Sequence, residues 1–271
     1  MAKSKPCAPS PLAGFAQDIH FLTTSGKKCT IGQKRRQMSD LSQALSLALD
    51  LVVTLDPQML GIVRLSVLVS GMAVLLAALI GLPLGAVLAL SSFPGRGALV
   101  VMLNAFMGLP PVVVGLGVYL LLSRAGPLGE AGLLFTPSAM VAAQTLLVLP
   151  IVAALSRQVV ADLWEEYGEQ LRSLGVSPGG RMLTLLWDGR FSLLTAVLAG
   201  FGRAAAEVGA VMIVGGNIKG VTRTMTTTIA LETSKGDLPL ALGLGLILIA
   251  LVTMVNAAVF LVGQWARRRM G

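Results

Sequence analysis

Beyond Met38 this 271-residue chain contains no cysteine and no histidine, because Cys7, Cys29 and His20 all fall in the first 37 residues. That absence removes thiol chemistry, disulfides, haem and ordinary zinc sites from everything downstream. No Gly-x-x-x-x-Gly-Lys-Ser/Thr run occurs, so the chain cannot itself supply the usual phosphate cradle of a nucleotide hydrolase. Internal repeats are missing as well, which leaves an inverted-repeat secondary carrier without support. Charged residues make up only 13% of the chain, and none of the Lys or Arg falls between Ser39 and Val63. A stretch with only acids, here Asp40, Asp50 and Asp56, is expected of a terminus facing away from the cytosol.

What is present is apolar. Hydrophobic residues reach 55% and mean hydropathy is +0.81, values of an all-α integral membrane protein of one compact domain. The net charge of +8 is uneven: residues 1–37 hold seven Lys/Arg against Asp18 alone, and the remainder holds fourteen against twelve acids. No basic face for nucleic acid survives once the leader is set aside. That leader has no apolar stretch resembling a signal-peptide core and reads as a polar, untranslated extension ahead of a working start at Met38. Residues 38–61 read as a periplasmic, interfacial segment, with 41–55 too short and too acidic for a crossing.

Five crossings are expected at about 65–90, 99–122, 138–155, 191–214 and 238–262, each near the ~20 apolar residues that a bilayer core requires. Charge sets their orientation. Arg96, the group Arg157, Arg172, Arg181 and Arg190, and the terminal Arg267, Arg268 and Arg269 belong in the cytosol. The C-terminus, including a basic tail at 266–271, is then cytosolic and the N-terminus outside. Residues 122–136 and 215–239 face outward, and Lys219, Arg223 and Lys235 oppose that assignment. Arg64 is likewise an exception at the rim of the first span. Pro83, Gly108-Leu109-Pro110-Pro111 and Pro150 lie inside spans, as interruptions or as plain packing kinks.

Between the third and fourth crossings lies a polar segment that cannot sit in hydrocarbon. Over about 160–174, Val160, Leu163, Tyr167, Leu171 and Leu174 recur at helical spacing, with Asp162, Glu165, Glu166, Glu169 and Arg172 largely off that stripe. Gly175 suits the left-handed position that ends a helix. Ser177 and Pro178 supply an N-cap and a first-turn proline for a second helix running toward Trp187. Such an insert either grips another protein or rests on lipid headgroups.

Glu169-Gln170-Leu171, three residues, Gly175, nine residues, then Leu185 resembles the EAA loop of ABC importer permeases: Glu-Ala-Ala, three residues, Gly, nine residues, Ile-x-Leu-Pro. Gln170 and Leu171 replace the alanines, while Trp187 and Asp188 replace the closing Leu-Pro. Downstream, Gly202-Arg203-Ala204-Ala205-Ala206-Glu207-Val208-Gly209-Ala210, then Gly216-Asn217-Ile218 and the threonines from Thr222, resembles the Arg-Ala-x-x-Glu-x-Gly-Ala…Gly-Asn-Ile…Thr pattern of molybdate, sulfate and tungstate permeases. Residues 107–116 and 230–237 look most like the tungstate branch, and the likeness spans about 62–269. It implies a type-1 ABC importer transmembrane domain over 62–265, with a cytosolic coupling loop at 160–190. In that loop Glu169, Gln170, Leu171, Leu174 and Gly175 would meet a cytosolic ABC ATPase subunit that carries ATP and Mg. The resemblance also implies an extracytoplasmic substrate-binding protein, a homodimer embedded in membrane lipid, and a bacterial cytoplasmic (inner) membrane location. No cofactor or metal is expected on this chain, which is a transport subunit rather than an enzyme.

Two sets of side chains are candidates for the translocation path. Arg203 and Glu207, four residues apart on one helical face, either shape that path or neutralise one another, and Arg203 is expected to be largely satisfied by Glu207. Asn217, Thr222, Thr224, Thr226, Thr227 and Thr228 either offer weak hydrogen bonds to an oxyanion or cap and turn an exposed loop. Asn104, Gln144 and Asn256 read as interhelical hydrogen-bond partners. The function classes left open are an ATP-driven permease for tungstate, molybdate or another anion such as sulfate, an ion-coupled carrier using Glu207, and a membrane anchor that recruits an enzyme.

Overall fold

Apolar runs of this length satisfy their backbone groups in lipid only by coiling, and a computed structural model, which describes residues 57–270, is helical throughout. The leader, the expected start at Met38 and the interfacial segment at 41–55 lie outside the described residues. The helices are α1 (Pro57–Leu90), α2 (Arg96–Met107), α3 (Pro111–Leu122), α4 (Pro137–Ser173), α5 (Pro178–Asp188), α6 (Arg190–Ala205), α7 (Gly209–Gly215), α8 (Met225–Lys235) and α9 (Leu238–Met270), with one 3-10 turn at Gly129–Ala131. Among the described residues there is no strand. α1, α4 and α9 are each long and apolar enough to cross a bilayer, and two bent pairs, α2–α3 at 102° and α5–α6 at 74°, bring the number to at most five. The chain is an all-α, multi-pass membrane protein.

Several expected boundaries are corrected. The second span is broken between Met107 and Pro111, where Pro110 adopts an extended conformation and neither proline has an N–H to continue the ladder. The third does not stop near residue 155: α4 runs unbroken for 37 residues, about 55 Å at 1.5 Å per residue, so the first helix of the polar insert is its far end. Pro150 lies within it, and the one glycine of its second half, Gly168, is buried against the Trp164 ring. The fourth span is two pieces, α6 and α7, separated at residues 206–208. Pro83 interrupts nothing, and α1 begins at Pro57 rather than near 65.

α1 and α4 run parallel and form the most extensive pairing. Val69 meets Met140, Val74 meets Val148 and Ala86 meets Val160 in successive layers. Close approach is possible because Gly81 and Gly85 face Val152, Ala153, Ser156 and Arg157 with no side chain between. Ser156 Oγ donates to Leu82 O at 2.9 Å, and Thr145 Oγ1, which donates to Val141 O of its own helix at 2.7 Å, also lies 3.4 Å from Ala73 O. Arg96 closes the far end of α1, its Nε donating to Leu88 O at 2.7 Å and its Nη2 to Ala89 O at 3.1 Å. α6 returns alongside α4, with Gly200 beneath Val148 and Val152, and α9 packs on α1 and α8 through Met59, Met225 and Leu244. The molecule therefore has a Pro57 end, carrying the start of α1 and the loop before α8, and an opposite end carrying α5.

Candidate translocation site and coupling turn

The break between α6 and α7 leaves backbone groups without helical partners deep in an apolar bundle, and polar side chains from two other elements and from the break itself satisfy them. Gln144 Nε2 of α4 donates to Ala204 O at 3.1 Å. Thr226 Oγ1 of α8 donates to Glu207 O at 2.8 Å. Glu207 serves its own break: Oε1 accepts the Ala210 N–H at 3.1 Å and Oε2 accepts from Arg203 Nη1 at 2.9 Å. Its side chain is 3% exposed, against 33% for Arg203. Arg203 stands in the last turn of α6, where a cation also suits the negative end of the helix dipole. The two are ion-paired as expected, although not on one continuous helix.

α8 is anchored at the same place. Met225 N–H donates to Ser66 Oγ of α1 at 2.7 Å, and that hydroxyl donates to Ile62 O at 2.9 Å. Thr224 and Thr227 form a reciprocal capping box, and Thr228 Oγ1 donates to Thr224 O at 2.6 Å. Ser66, Ser70, Gln144, Thr224 and Thr226, with Phe201, Leu248 and Leu251, line a cavity of about 10 Å³, room for the centre of one water. Gln144 Oε1 has no hydrogen-bond partner among the described residues. A tetrahedral oxyanion does not fit this opening. Ser66→Ala should leave a buried N–H unpaired and lower stability by about 1–3 kcal/mol, read as a drop in the thermal unfolding midpoint of the detergent-solubilised protein.

The sequence-predicted residues divide between these two ends. Arg203, Glu207, Thr224 and Thr226 converge on the break, whereas Asn217 sits in the preceding loop, left-handed at φ 50° with its Oδ1 unpartnered among the described residues. Thr222 ties that loop, accepting from Ile218 N–H and donating to Gly215 O. Of the three amides expected between helices, only Gln144 bonds across. Asn256 donates to Val252 O of its own helix, and Asn104 is exposed. Both occupy faces of α9 and α2 that this chain leaves uncovered, where a helix's own carbonyl is the available acceptor. Ser66 and Ser70 were missed; their i, i+4 spacing in an apolar run is the signal that would have found them.

At the opposite end α4 terminates in a Schellman turn: Val176 N–H donates to Leu171 O, Gly175 N–H to Arg172 O, and Gly175 has φ +65°. Ser177 Oγ then accepts the Gly180 N–H at 3.3 Å and Pro178 takes the first turn of α5. Leu185, Met182 and Leu186 of α5 pack with Ala86, Ala89, Val160 and Leu171, seating α5 on the ends of α1 and α4. Arg172 lies over the Trp164 ring at 4.9 Å, with Arg181 at 5.9 Å. The outward face is apolar: Leu174 is 75%, Leu183 69% and Trp187 70% exposed, with Glu169 and Gln170 exposed beside them. Leu174 thus leaves the stripe on which Val160, Leu163 and Leu171 are covered. The Glu166 carboxylate, accepting from the Tyr167 phenol and secondarily through its charge, holds that phenol above its ordinary pKa.

No family model matches the chain. It is 40% identical over 223 residues to the tungstate uptake system permease protein TupB of Peptoclostridium acidaminophilum, covering 82% of this chain and 98% of that one. The chain belongs to the ABC transporter permeases of the anion-uptake group. Within that group it is 41% identical over 204 residues to a probable anion ABC transporter permease of Haloferax volcanii, covering 73% and 88% of the two chains. It is 38% identical to TupB of Campylobacter jejuni over 77% and 87%. In this permease the far end of α4, the Schellman turn and α5 are the polar insert, and the α6–α7 break holds the Arg203–Glu207 ion pair with its carboxylate buried in the apolar bundle.

Proposed function

We propose that this permease is the membrane subunit of an ATP-driven importer whose cargo is tungstate, working as a homodimer with a cytosolic ATPase and an extracytoplasmic binding protein. The observation that carries the reading is the 40% identity to a named tungstate permease across 98% of its length. The α5 end is cytosolic and the Pro57 end outside in this arrangement. Leu174, Leu183 and Trp187 give the ATPase an apolar surface, and Glu169 gives it a charge to orient on. α4 then carries the displacement: nothing breaks it between Ser173 and Gln144, which touches the α6–α7 break directly. α6 is tied to the same motion through Gly189, packed against Val159 and Leu163 of α4. ATPase closure thereby acts on the Gln144–Ala204 contact and opens the cavity that now excludes the ion.

Gly175→Asp tests the coupling. A Cβ there meets nothing within 4 Å, and although any side chain at φ +65° is strained, Asp tolerates the left-handed region better than most residues, so the added charge acts chiefly on docking. Membrane insertion should be normal, ATPase co-purification lost, and uptake reduced at least tenfold. Normal co-purification would contradict the docking role. The cargo is tested with proteoliposomes of the whole transporter: labelled tungstate should enter only with nucleotide and be competed more weakly by molybdate and sulfate than by itself. Filling without nucleotide would replace this reading with the ion-coupled carrier.

A further inference from the structure

Lys219, Arg223, Lys235 and Arg64 are the four cations that disagree with an outward-facing Pro57 end, since basic residues normally gather on the cytosolic side. All four lie around one cavity. It measures about 880 Å³ and is walled by the first turns of α1, the loop before α8, and one side of α8. Glu232 is its one carboxylate among the described residues and is paired with Lys235 at 2.9 Å. Arg64, Lys219 and Arg223 have no acidic partner among the described residues, and Arg223 Nε is buried with no hydrogen-bond acceptor. Three uncompensated cations around one concavity repel each other, and a buried guanidinium donor without an acceptor is costly. An anion removes both penalties.

We infer that this cavity is the receiving vestibule for the transported oxyanion, in which Arg64, Lys219 and Arg223 hold a doubly charged tetrahedral ion before it enters the bundle; the inference rests on the importer reading above. Its volume lies in the usual range for ligand sites, about 300–1,000 Å³, and is large enough for a hydrated ion rather than a dehydrating cage. Passage requires that looseness, because a site that grips too well does not release. The vestibule also leads somewhere. Leu65, Leu68 and Thr228 are in its wall, and their neighbours Ser66, Val67, Ser70 and Thr224 line the small cavity at the α6–α7 break. A cleft of net positive charge further concentrates its counter-ion at low ionic strength.

The same cations could instead hold the phosphate of an anionic lipid, and the experiment separates the two sources. The complete transporter is reconstituted in phosphatidylcholine, with and without phosphatidylglycerol, and tungstate uptake is measured at low and high salt. Lys219→Gln with Arg223→Gln should raise the KM for uptake at least tenfold at low salt and flatten the salt dependence. Lys219→Arg with Arg223→Lys should restore both. Lys219→Gln alone, at an exposed position, should show a smaller shift and guards against a misfolded double variant. A neutral variant that transports like the wild type overturns the vestibule, as does an effect confined to vesicles containing phosphatidylglycerol. Thermal stabilisation of the wild type by millimolar tungstate, absent in the neutral variant, reads binding without transport. Stabilisation with no uptake therefore defeats the importer reading and keeps the vestibule, whereas uptake with no loss in the variant does the reverse.

Discussion

Gly85→Leu is expected to give no folded permease. A Cβ at that position would stand 2.7 Å from Arg157 N and 2.7 Å from Ser156 Cβ, and still nearer the Ala153 carbonyl oxygen. Two of those atoms belong to the backbone of α4 and cannot rotate away, so α1 and α4 would have to separate along the pairing that organises the bundle. Overpacking costs about 1–3 kcal/mol where side chains can adjust. Here they cannot, and Leu adds three further carbons, so the loss should exceed that range. Gly85→Ala should already lower the thermal midpoint clearly. Gly71→Ala is the matched control, because nothing lies within 4 Å of the added carbon, and it should stay within about 0.5 kcal/mol of wild type. Size-exclusion profiles in detergent would read the difference, and a monodisperse Gly85→Leu peak at the wild-type position would contradict the packing account.

Arg203→Ala is expected to be more damaging than Glu207→Gln. The asymmetry follows from burial: the carboxylate is 3% exposed and the guanidinium side chain 33%. Removing the arginine strands a buried anion with only the Ala210 N–H, at about 2–4 kcal/mol once the partial exposure of Arg203 is discounted from the buried-pair range. Removing the glutamate charge leaves an arginine that can reach water, and glutamine still accepts from Ala210, so about 1–2 kcal/mol is expected. Denaturant unfolding in mixed micelles would rank the two. Uptake should persist in Glu207→Gln, because the residue's work is to hold a helix break. Abolished uptake in a stably folded Glu207→Gln would instead point to a proton site.

The elements readable from sequence were those governed by local chemistry. Gly175, Ser177 and Pro178 mark a helix stop and start wherever they occur, and the structure uses them so. The Gly108–Pro111 stretch carried the signal of an interruption but left it open against a plain kink. The α6–α7 break was not legible, because Ala204-Ala205-Ala206-Glu207 favours continued helix. What ends α6 there is tertiary: Gln144, Thr226 and the Glu207 carboxylate together satisfy the groups that an unbroken helix would have paired. The threonines were open between an oxyanion lining and caps or turns. Their hydrogen-bonding capacity was evident, but only the packing of α8 decides that their hydroxyls serve the chain itself. The length of α4 was missed by treating polarity as a boundary, when polarity governs burial and leaves helix continuity untouched.

The notch at Gly81 and Gly85 has a further consequence. With Ser156 also bonded to a carbonyl of α1, axial slippage by even one residue would drive side chains into the notch and forfeit that bond. The first and fourth helices are therefore indexed to each other and must travel as a single strut. Whatever conformational cycle this subunit undergoes, its joints lie around that strut, at the breaks near residues 109, 189 and 207.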